Sequence, residues 1–465
     1  MHPGKAMTFA TTITIWRKEF HALLQVGGPL IINFVAIAGI QFSDAVMAGR
    51  LGASQLAAVA VGGSVWMLGF TFCLGILMSI SPIVSRYFGA GQLSLIGRYT
   101  RHGLWLSQVL GITILVLAQL YVRPILTFIG IDIEFRDMTI GYVEAIMLGM
   151  PAISAFLVFR FTTEGIGVTR PIMYTSLFSL VCNVFGNWVL MYGNLGAPAL
   201  GATGCGLASA ITIWLMTIGM GTYIYKHPRY RPLQIFSRMA SLRWPVFKEI
   251  LSLGIPISLT ITAESGLFSA IAILIGTINV QVAAAHQIAI NFASTMFMIP
   301  LAISSATTVR VGHALGAGDP HAARFRGWTG IVTCGVFMLF SACILLLFRD
   351  LVVDLYTSDT SVKEIAISLL MMAAIFQVAD GVQIGAAAAL RGYKDMRIPM
   401  VINAFSYWVL AFPAAYLAAV TYRLPPQYIW GGFVIGLTVA AVLLSLRYRK
   451  IANRAATGLW GEGIS

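Results

Sequence analysis

Apolar runs recur along the whole chain, and short segments that hold charged residues, glycine and proline separate them. A helix needs about 20 apolar residues to cross the hydrocarbon core of a bilayer. The pattern therefore predicts twelve transmembrane helices with short connectors and no large soluble domain. Their centres fall near residues 34, 68, 112, 150, 181, 213, 263, 296, 338, 376, 410 and 438.

The composition strengthens the prediction of an all-α integral membrane protein. Hydrophobic residues make up 58% of the 465 residues, charged residues only 10%, and the mean hydropathy is +0.84. Soluble domains carry about 25% charged residues, so a soluble catalytic module is excluded. The five cysteines lie inside apolar runs without the spacing of a metal or disulfide site, and they are interpreted as small hydrophobic residues. The first residues lack the features of a cleaved signal peptide, so we expect them to be retained.

The positive charges indicate the orientation of the chain. With the N-terminus inside, the inner segments hold 24 of the 30 Lys and Arg residues and the outer segments hold six. Cytoplasmic loops carry an excess of Lys and Arg, so the split predicts both termini in the cytoplasm and a multi-pass protein of the inner membrane. The net charge of +13 is explained by this orientation, and no nucleic-acid partner is expected.

The second half of the chain repeats the first at one constant offset. Identical residues that coincide at this offset include Gly27 with Gly254, Pro29 with Pro256, Gly89-Ala90-Gly91 with Gly316-Ala317-Gly318, Gly165 with Gly392, and Met173 with Met400. Six helices per repeat predict two six-helix bundles that run the same way through the membrane, with a cleft between them. We expect an N-terminal lobe of residues 1–235, a C-terminal lobe of residues 236–465, and a basic cytoplasmic linker at about 226–249.

Three acidic residues stand apart from the other fourteen. The chain lacks the P-loop of ATPases, so transport work would draw on an ion gradient, which requires ionisable groups inside the membrane. Of the 17 acids, fourteen lie in loops or at helix edges, which leaves Asp44, Glu264 and Asp380. These three are the candidate coupling residues, and Glu264 with Asp380 is the candidate Na+ site.

The surroundings of the acids leave two interpretations open. Asp380 shares a helical face with Gln377 and Gln383, and the Gly385–Ala389 stretch permits close helix packing. Glu264 has Phe268 one turn later. Each acid either exchanges H+ or Na+ or accepts interhelical hydrogen bonds. Asp44 lies toward the outer end of its helix, where a solvated interfacial acid is the alternative.

Polar pairs within the helices are further candidates for the lining of a cavity. Asn183 and Asn187 form one pair at a spacing of four residues, and Gln287 and Asn291 form another, so each pair projects on one helical face. The alternative for both pairs is hydrogen bonding between helices. For His286 we expect a hydrogen-bonded structural role rather than a proton relay.

The chain resembles the multidrug and toxic compound extrusion (MATE) transporters, in particular the NorM-type bacterial branch. The resemblance rests on FSDAVMAGRLG, NVFGNW, GAPALGATGCGLA, TAESGLFS, VAAAHQIAINF, VRVGHALGAGD and ADGVQIGAAAALRGYKDMRIP. It implies a V-shaped antiporter that expels cationic amphipathic compounds in exchange for Na+ or H+. It also implies that Asp44 belongs to a cavity of the N-terminal lobe, and that Glu264 and Asp380 belong to a cation site of the C-terminal lobe.

One position departs from the family pattern. Family members with a well-defined cation site often have a tyrosine one turn before the aspartate, and this chain has Phe376 there. The missing hydroxyl favours proton coupling or mixed use of both ions. Alternatively, an oxygen from Gln377, Gln287 or a water replaces it.

The sequence thus predicts a secondary active multidrug antiporter that works by alternating access and is not an enzyme. We expect cationic drugs and dyes as substrates, lipid as the surrounding partner, a monomer, and no cofactor besides the coupling ion. The predicted substrate and cavity residues are Asn183, Asn187, Gln287, Asn291, Phe376, Gln377 and Phe268.

Three alternatives are weaker. A flippase for a lipid-linked or polyanionic substrate would favour basic residues in the middle of the spans, where none is visible. A membrane-embedded enzyme would need an acid beside His286 in its own span. A channel is disfavoured because the two repeats carry unlike acids and do not build a ring.

Overall fold

The computed structural model describes residues 9–130, 132–236 and 243–458. All regular secondary structure in these ranges is helical. The first half of the chain forms the helices α1 (Phe9–Leu51), α2 (Ala53–Leu77), α3 (Ile80–Gly89), α4 (Leu93–Phe128), α5 (Ile133–Met147), α6 (Met150–Gly165), α7 (Arg170–Leu190) and α8 (Gly201–Lys226). Short 3-10 helices, Asn194–Gly196 and Pro228–Leu233, flank α8.

The second half continues with longer helices. These are α9 (Trp244–Gly276), α10 (Val280–Gly316), α11 (Pro320–Asp354), α12 (Thr360–Gly392), α13 (Arg397–Ala404), α14 (Phe412–Tyr416) and α15 (Pro426–Ala456). Two π-helical segments, Phe405–Ala411 and Leu417–Thr421, join α13 and α14 into one irregular span that ends at Thr421.

The predicted spans are confirmed. Eleven segments within the described ranges are long and apolar enough to cross a membrane, and α5 with α6 makes a twelfth if this pair, bent by 45°, counts as one span. Each predicted centre lies within or beside one of these helices. The pair α5–α6 breaks next to Pro151, which lies at the start of α6 because a proline lacks the N–H that a helix interior requires.

The helix boundaries confirm the internal repeat. The helices that begin at Ala53, Leu93, Ile133 and Arg170 have counterparts that begin at Val280, Pro320, Thr360 and Arg397. All four pairs keep the offset that aligns Gly27 with Gly254 in the sequence. One helical scaffold is therefore encoded twice in the same direction.

The described helices pack into two compact units. The N-terminal unit contains residues 29–88 and 92–258, and the C-terminal unit contains the chain up to Gly28, residues 89–91 and the chain from Leu259. The equivalent helices α1 and α9 each divide between the units, close to the equivalent prolines Pro29 and Pro256. The lobe boundary at residue 235 stays a prediction.

An ion-pair cluster fixes the first part of α1 within the C-terminal unit. The carboxylate of Glu19 accepts two hydrogen bonds from the guanidinium of Arg310, at 2.8 and 2.5 Å. Arg326 approaches the same carboxylate at 3.6 Å. Two-pronged Arg–carboxylate pairs of this kind are stronger and more directional than single hydrogen bonds, so this end of α1 is held to α10 and α11.

Close helix packing in the C-terminal unit depends on small residues, as predicted for Gly385–Ala389. A methyl group at Gly385 of α12 would lie 2.9 Å from the Cα atom of Ile331 on α11. Ala386 to Ala389 are all buried. The small side chains therefore set the spacing of α11 and α12, and with it the position of Asp380 one turn earlier on α12.

We expect Gly385→Ala to lower the free energy of unfolding by about 1–3 kcal/mol, because the added methyl group overpacks the contact. The matched control is Gly219→Ala on α8, where an added methyl group meets no atom within 4 Å. The control should be neutral or stabilising by up to about 1 kcal/mol, since alanine favours helix more than glycine does. Thermal unfolding of the purified protein measures both, and equal effects of the two changes would contradict the packing argument.

Candidate functional site

The three intramembrane acids are divided between the two units. Asp44 on α1 belongs to the N-terminal unit, and Glu264 on α9 and Asp380 on α12 belong to the C-terminal unit. Asp44 and Asp380 are buried, with 8% and 6% of their surface exposed, and Glu264 is partly exposed. Each cluster is described below by itself.

Asp44 is the end of a hydrogen-bond chain that crosses three helices. The side-chain amide of Asn187 on α7 donates to the Asp44 carboxylate at 2.6 Å and to the Asn183 carbonyl oxygen at 3.2 Å. The amide of Asn183 in turn donates to the hydroxyl of Ser209 on α8 at 3.1 Å. The structure thus brings together three residues that the sequence singled out, and Asp44 is not a solvated interfacial acid.

The Asp44 cluster has no fixed positive charge. In the part of the chain that the structure describes, Asp44 forms no ion pair, and its partners are neutral amides, a hydroxyl and the thiol of Cys205. Neutral donors stabilise a carboxylate without neutralising it. The cluster can therefore take up a proton or a small cation in a place that no side-chain cation already fills.

Glu264 and Asp380 form the second cluster. Their carboxyl groups lie close enough for their charges to interact, and Tyr407 interacts with both. The amide of Gln383 donates to the Tyr407 hydroxyl at 2.9 Å. One oxygen of Asp380, Oδ1, has no hydrogen-bond partner among the described residues. Two carboxyl groups whose charges interact are poorly tolerated when both are charged, so this cluster is suited to binding a cation or a proton.

A positive charge also acts on this cluster. Arg391 lies three turns after Asp380 on α12, and its guanidinium attracts the carboxylate of Glu264. The charge of Asp380 and the charge of Arg391, on the same helix, therefore act on Glu264 with opposite sign.

Aromatic rings surround the position one turn before Asp380. Phe376 is buried, with its ring centroid 5.7 Å from that of Trp430 and 5.8 Å from that of Phe433. Phe268, one turn after Glu264, stacks on Phe433 at 4.6 Å. The two predicted cavity phenylalanines thus belong to one aromatic cluster, which occupies the place where a tyrosine hydroxyl would stand.

The other predicted cavity residues of this unit have different environments. Gln377 is buried and accepts a 3.4 Å hydrogen bond from Ser341. Its amide nitrogen has no partner within the described ranges. Gln287 and Asn291 are exposed on α10. Their roles in a cavity stay predictions.

His286 has the structural role that the sequence suggested. It is buried, and its Nδ1 atom accepts a 3.1 Å hydrogen bond from the indole N–H of Trp430. The two rings also meet edge to face at 5.5 Å. This bond orients Trp430, which in turn packs against Phe376.

Two residues of these clusters were missed from the sequence. Tyr407 lies in an apolar run, and Ser209 is one of several small residues of α8. The sequence carries no signal for Tyr407; only the structure places it in the π-helical segment Phe405–Ala411, a kind of turn that is frequent at functional sites. Ser209 had no signal in the sequence either.

Within the described residues, no group of three or more His, Cys, Asp or Glu side chains is arranged to hold a metal ion. Any Na+ site at Glu264 and Asp380 would therefore need oxygens from hydroxyl, amide or backbone groups as well. Tyr407, whose charge interacts with both acids, is one such group.

Comparison with known proteins gives a consistent result. The MatE family model matches the chain twice, over residues 29–189 and 256–417. The two matches begin at Pro29 and Pro256, which are equivalent positions of the internal repeat. Together they cover more than half of the chain.

Curated relatives match over nearly the full length. The multidrug resistance protein PmpM of Pseudomonas aeruginosa is 38% identical over 445 residues, which cover 94% of this chain and 93% of PmpM. The probable multidrug resistance protein NorM of Xanthomonas campestris is 39% identical over 431 residues, covering 92% and 94% of the two chains. MdtK of Edwardsiella ictaluri, also named a multidrug resistance protein, is 36% identical, covering 94% and 97%.

Solved structures share the fold at lower identity. The crystal structure of the eukaryotic MATE transporter AtDTX14 has a TM-score of 0.83 at 22% identity, covering 96% of this chain and 99% of that one. A crystal structure of a MATE protein in the bent conformation has a TM-score of 0.87 at 21% identity, covering 95% and 97%.

The bond between Gln383 and Tyr407 can be tested by a double-mutant cycle. Tyr407→Phe leaves the buried amide of Gln383 without its acceptor, so we expect a loss of about 1–3 kcal/mol in the free energy of unfolding. Gln383→Leu should cost a similar amount. The double variant should lose less than the sum of the two, because both changes remove the same bond. Strictly additive losses in thermal unfolding would show that the bond does not contribute.

Proposed function

This chain belongs to the MATE family of transporters, and from that premise we propose that it exports amphipathic cations in exchange for H+ or Na+. It is a multi-pass membrane protein with the twofold-repeated helical fold of that family. The relatives are named multidrug resistance proteins, which supports multidrug efflux by an antiport mechanism.

The observation that carries the proposal is that three carboxyl groups lie within the apolar membrane-spanning helices. Charged acids within a bilayer cost about 2.5–3.5 kcal/mol on insertion scales and mark ion or substrate pathways. In the N-terminal unit Asp44 accepts a hydrogen bond from a neutral amide, and in the C-terminal unit Glu264 and Asp380 interact with each other and with Tyr407. An amphipathic cation and a coupling ion would compete for the same negative charge, and this competition is the proposed coupling.

Competition alone does not move a substrate across a membrane. A ligand shifts the balance of inward-open and outward-open states only by its different affinity for the two. We propose that substrate favours the outward transition when the carboxyl groups are free, and that ion binding at Asp44 or at the Glu264–Asp380 pair displaces the substrate and drives the return. Exchange of one ion for one monovalent cation moves no net charge, so that case depends on the chemical gradient alone.

The chemistry of the C-terminal cluster favours H+ over Na+ as the coupling ion. A proton needs one acceptor, such as the unpartnered oxygen of Asp380, whereas Na+ needs several oxygens in a shell. Phe376 and its aromatic neighbours supply none. Tyr407 offers one hydroxyl as a partial replacement.

The remaining assignments follow from the same picture. We propose that both termini are cytoplasmic, that the protein resides in a bacterial inner membrane, and that it works as a monomer surrounded by lipid. Substrates would be cationic drugs and dyes. Neither a nucleic acid nor an enzymatic reaction is part of the proposal.

Neutralising variants test the function directly. We expect ethidium efflux from proteoliposomes to fall by at least about tenfold in each of three variants, Asp44→Asn, Glu264→Gln and Asp380→Asn. The reason is that removal of a proton-transfer group typically costs about 10²-fold or more in rate. The control is Asp350→Asn, an acid whose side chain is 75% exposed, which should export at the full rate. If the three variants also exported at the full rate under an imposed gradient, the proposed coupling site would be wrong.

The coupling ion can be tested at Phe376. Phe376→Tyr places a hydroxyl one turn before Asp380, so efflux driven by a Na+ gradient should rise relative to efflux driven by a pH gradient. Phe376→Leu, which adds no oxygen, should leave the ratio of the two rates unchanged. A ratio that responds equally to both changes, or to neither, contradicts the ligand-count argument.

A further inference from the structure

The helix α7 has its polar side turned inward. Its buried polar residues are Ser176, Ser179, Asn183 and Asn187, and its exposed face carries Tyr174, Phe178, Val181, Phe185 and Trp188. A membrane helix of this kind places its polar groups where other helices or water can satisfy them. The inward side of α7 meets α1 at two points.

Two hydrogen bonds join α1 to α7 in the same register. The Ser176 hydroxyl lies within hydrogen-bond distance of the Asn33 side-chain oxygen, at 2.5 Å, and of the Ile172 carbonyl in its own helix, at 2.9 Å. Asn187 donates to Asp44 at 2.6 Å. Both pairs are separated by 143 residues in sequence. The helices are therefore parallel. We call each of these two pairs, Asn33–Ser176 and Asp44–Asn187, a rung. The two rungs lie three turns apart, or about 16 Å at 1.5 Å per residue. We call this line of contact the α1–α7 seam.

Each rung holds a buried polar atom that lacks a protein partner. Asn33 is fully buried, and its amide nitrogen has no hydrogen-bond partner among the described residues. At the other rung the same holds for the side-chain oxygen of Asn187. Buried polar groups that protein atoms do not satisfy are usually satisfied by bound water. The seam thus offers a donor at one end and an acceptor beside Asp44 at the other.

The middle of the seam is apolar and tightly packed. A methyl group at Gly39 of α1 would lie 3.3 Å from both methyl carbons of Leu180 on α7. The hydroxyl of Ser179 donates to the carbonyl of Thr175 in its own helix, and among the described residues it forms no bond to α1. Leu180 therefore separates the two hydrogen-bonded pairs.

Other ionisable groups stand at both ends of the seam. Cys205 on α8 and Tyr142 on α5 interact with Asp44. Beside Asn33, the ring of Phe34 lies 5.3 Å from the guanidinium of Arg160 on α6. Arg160 in turn pairs with Glu164 at 3.9 Å, and both side chains are buried. The end of the seam away from Asp44 thus lies near a second carboxyl group.

We propose that the α1–α7 seam conducts protons between Asp44 and the Asn33–Ser176 rung through bound water, with Leu180 as its gate. The proposal rests on the proposed function, in which Asp44 is a coupling acid. An O–H bond breaks at the Asp44 carboxyl group while one forms on a neighbouring water. The same exchange repeats along the water chain, so that Asp44 is left as a carboxylate and the proton ends on the water at the Asn33–Ser176 rung. A narrow seam without fixed charge suits a proton better than a hydrated Na+.

The proposed role of Leu180 as a gate can be tested by measuring the passive leak of protons. Leu180→Ala should open the seam and raise the passive H+ flux into proteoliposomes in the absence of ethidium. Adding Asn33→Leu to Leu180→Ala should return the flux to the wild-type level, because the polar rung is lost. A leak that is absent, or that persists in the double variant, overturns the proposal.

The rung itself is tested with a matched pair on α7. Ser176→Ala and Ser179→Ala remove the same atom from equally buried positions, but only the first breaks a bond to α1. Efflux driven by a pH gradient should fall in Ser176→Ala and in Asn33→Leu and stay unchanged in Ser179→Ala. The equilibrium affinity for ethidium should be unchanged in all three. Equal losses in the two serine variants, or affinity losses that match the rate losses, would indicate a structural role only.

The proposal and the function on which it rests fail in different ways. If Asp44→Asn exports at the full rate, the proposed role of the N-terminal cluster fails and the seam fails with it. If Asp44→Asn is inactive while Asn33→Leu and Ser176→Ala export normally, the seam alone is wrong. Ser176→Ala removes one atom and retains the helix, so it provides the test if Asn33→Leu does not assemble.

Discussion

A carboxyl group inside a bilayer is the constraint on which the rest of this structure depends. Insertion scales place its cost at about 2.5–3.5 kcal/mol, and the chain accepts that cost three times. Nearby polar side chains offset part of this cost. Asn187, Asn183 and Ser209 build a neutral hydrogen-bond chain behind Asp44, while Tyr407 and Gln383 stand beside the acid pair. These partners keep the acids accessible to an ion, which a fixed salt bridge would not.

The internal repeat supplies the scaffold and leaves the chemistry free to differ. Helix starts recur at the constant offset of the sequence repeat, and the family model matches once in each repeat. At that offset Asp44 aligns with Ile271, and Glu264 aligns with Ile37. The two units therefore share helices but not acids. Such an arrangement permits one cluster to use neutral amides and the other to use a pair of carboxyl groups.

Much of the fold was predictable because its signals are local. Apolar runs mark the spans, and identical residues at one offset reveal the repeat; the orientation indicated by the positive charges stays a prediction. Elimination singled out Asp44, and helical spacing singled out Asn183 and Asn187, but only the structure shows that the three are joined by hydrogen bonds. What the sequence could not show are contacts between helices far apart in the chain. Asn33 and Ser176 are 143 residues apart, and Tyr407 looks like any aromatic residue in an apolar run. The polar pair Gln287 and Asn291 has the same spacing as Asn183 and Asn187, but it is exposed. Periodicity shows which residues share a helical face, and it does not show what that face contacts.

The central claim is that ion and substrate compete for the same carboxyl groups. The most direct measurement is proton release from the purified protein when ethidium binds, recorded with a pH indicator in weakly buffered detergent solution and repeated in the presence of Na+. The account predicts that binding releases protons, that Na+ reduces the release only to the extent that it displaces protons itself, and that Asp380→Asn lowers it. Ethidium binding that releases no protons and is unaffected by Na+ would contradict the account.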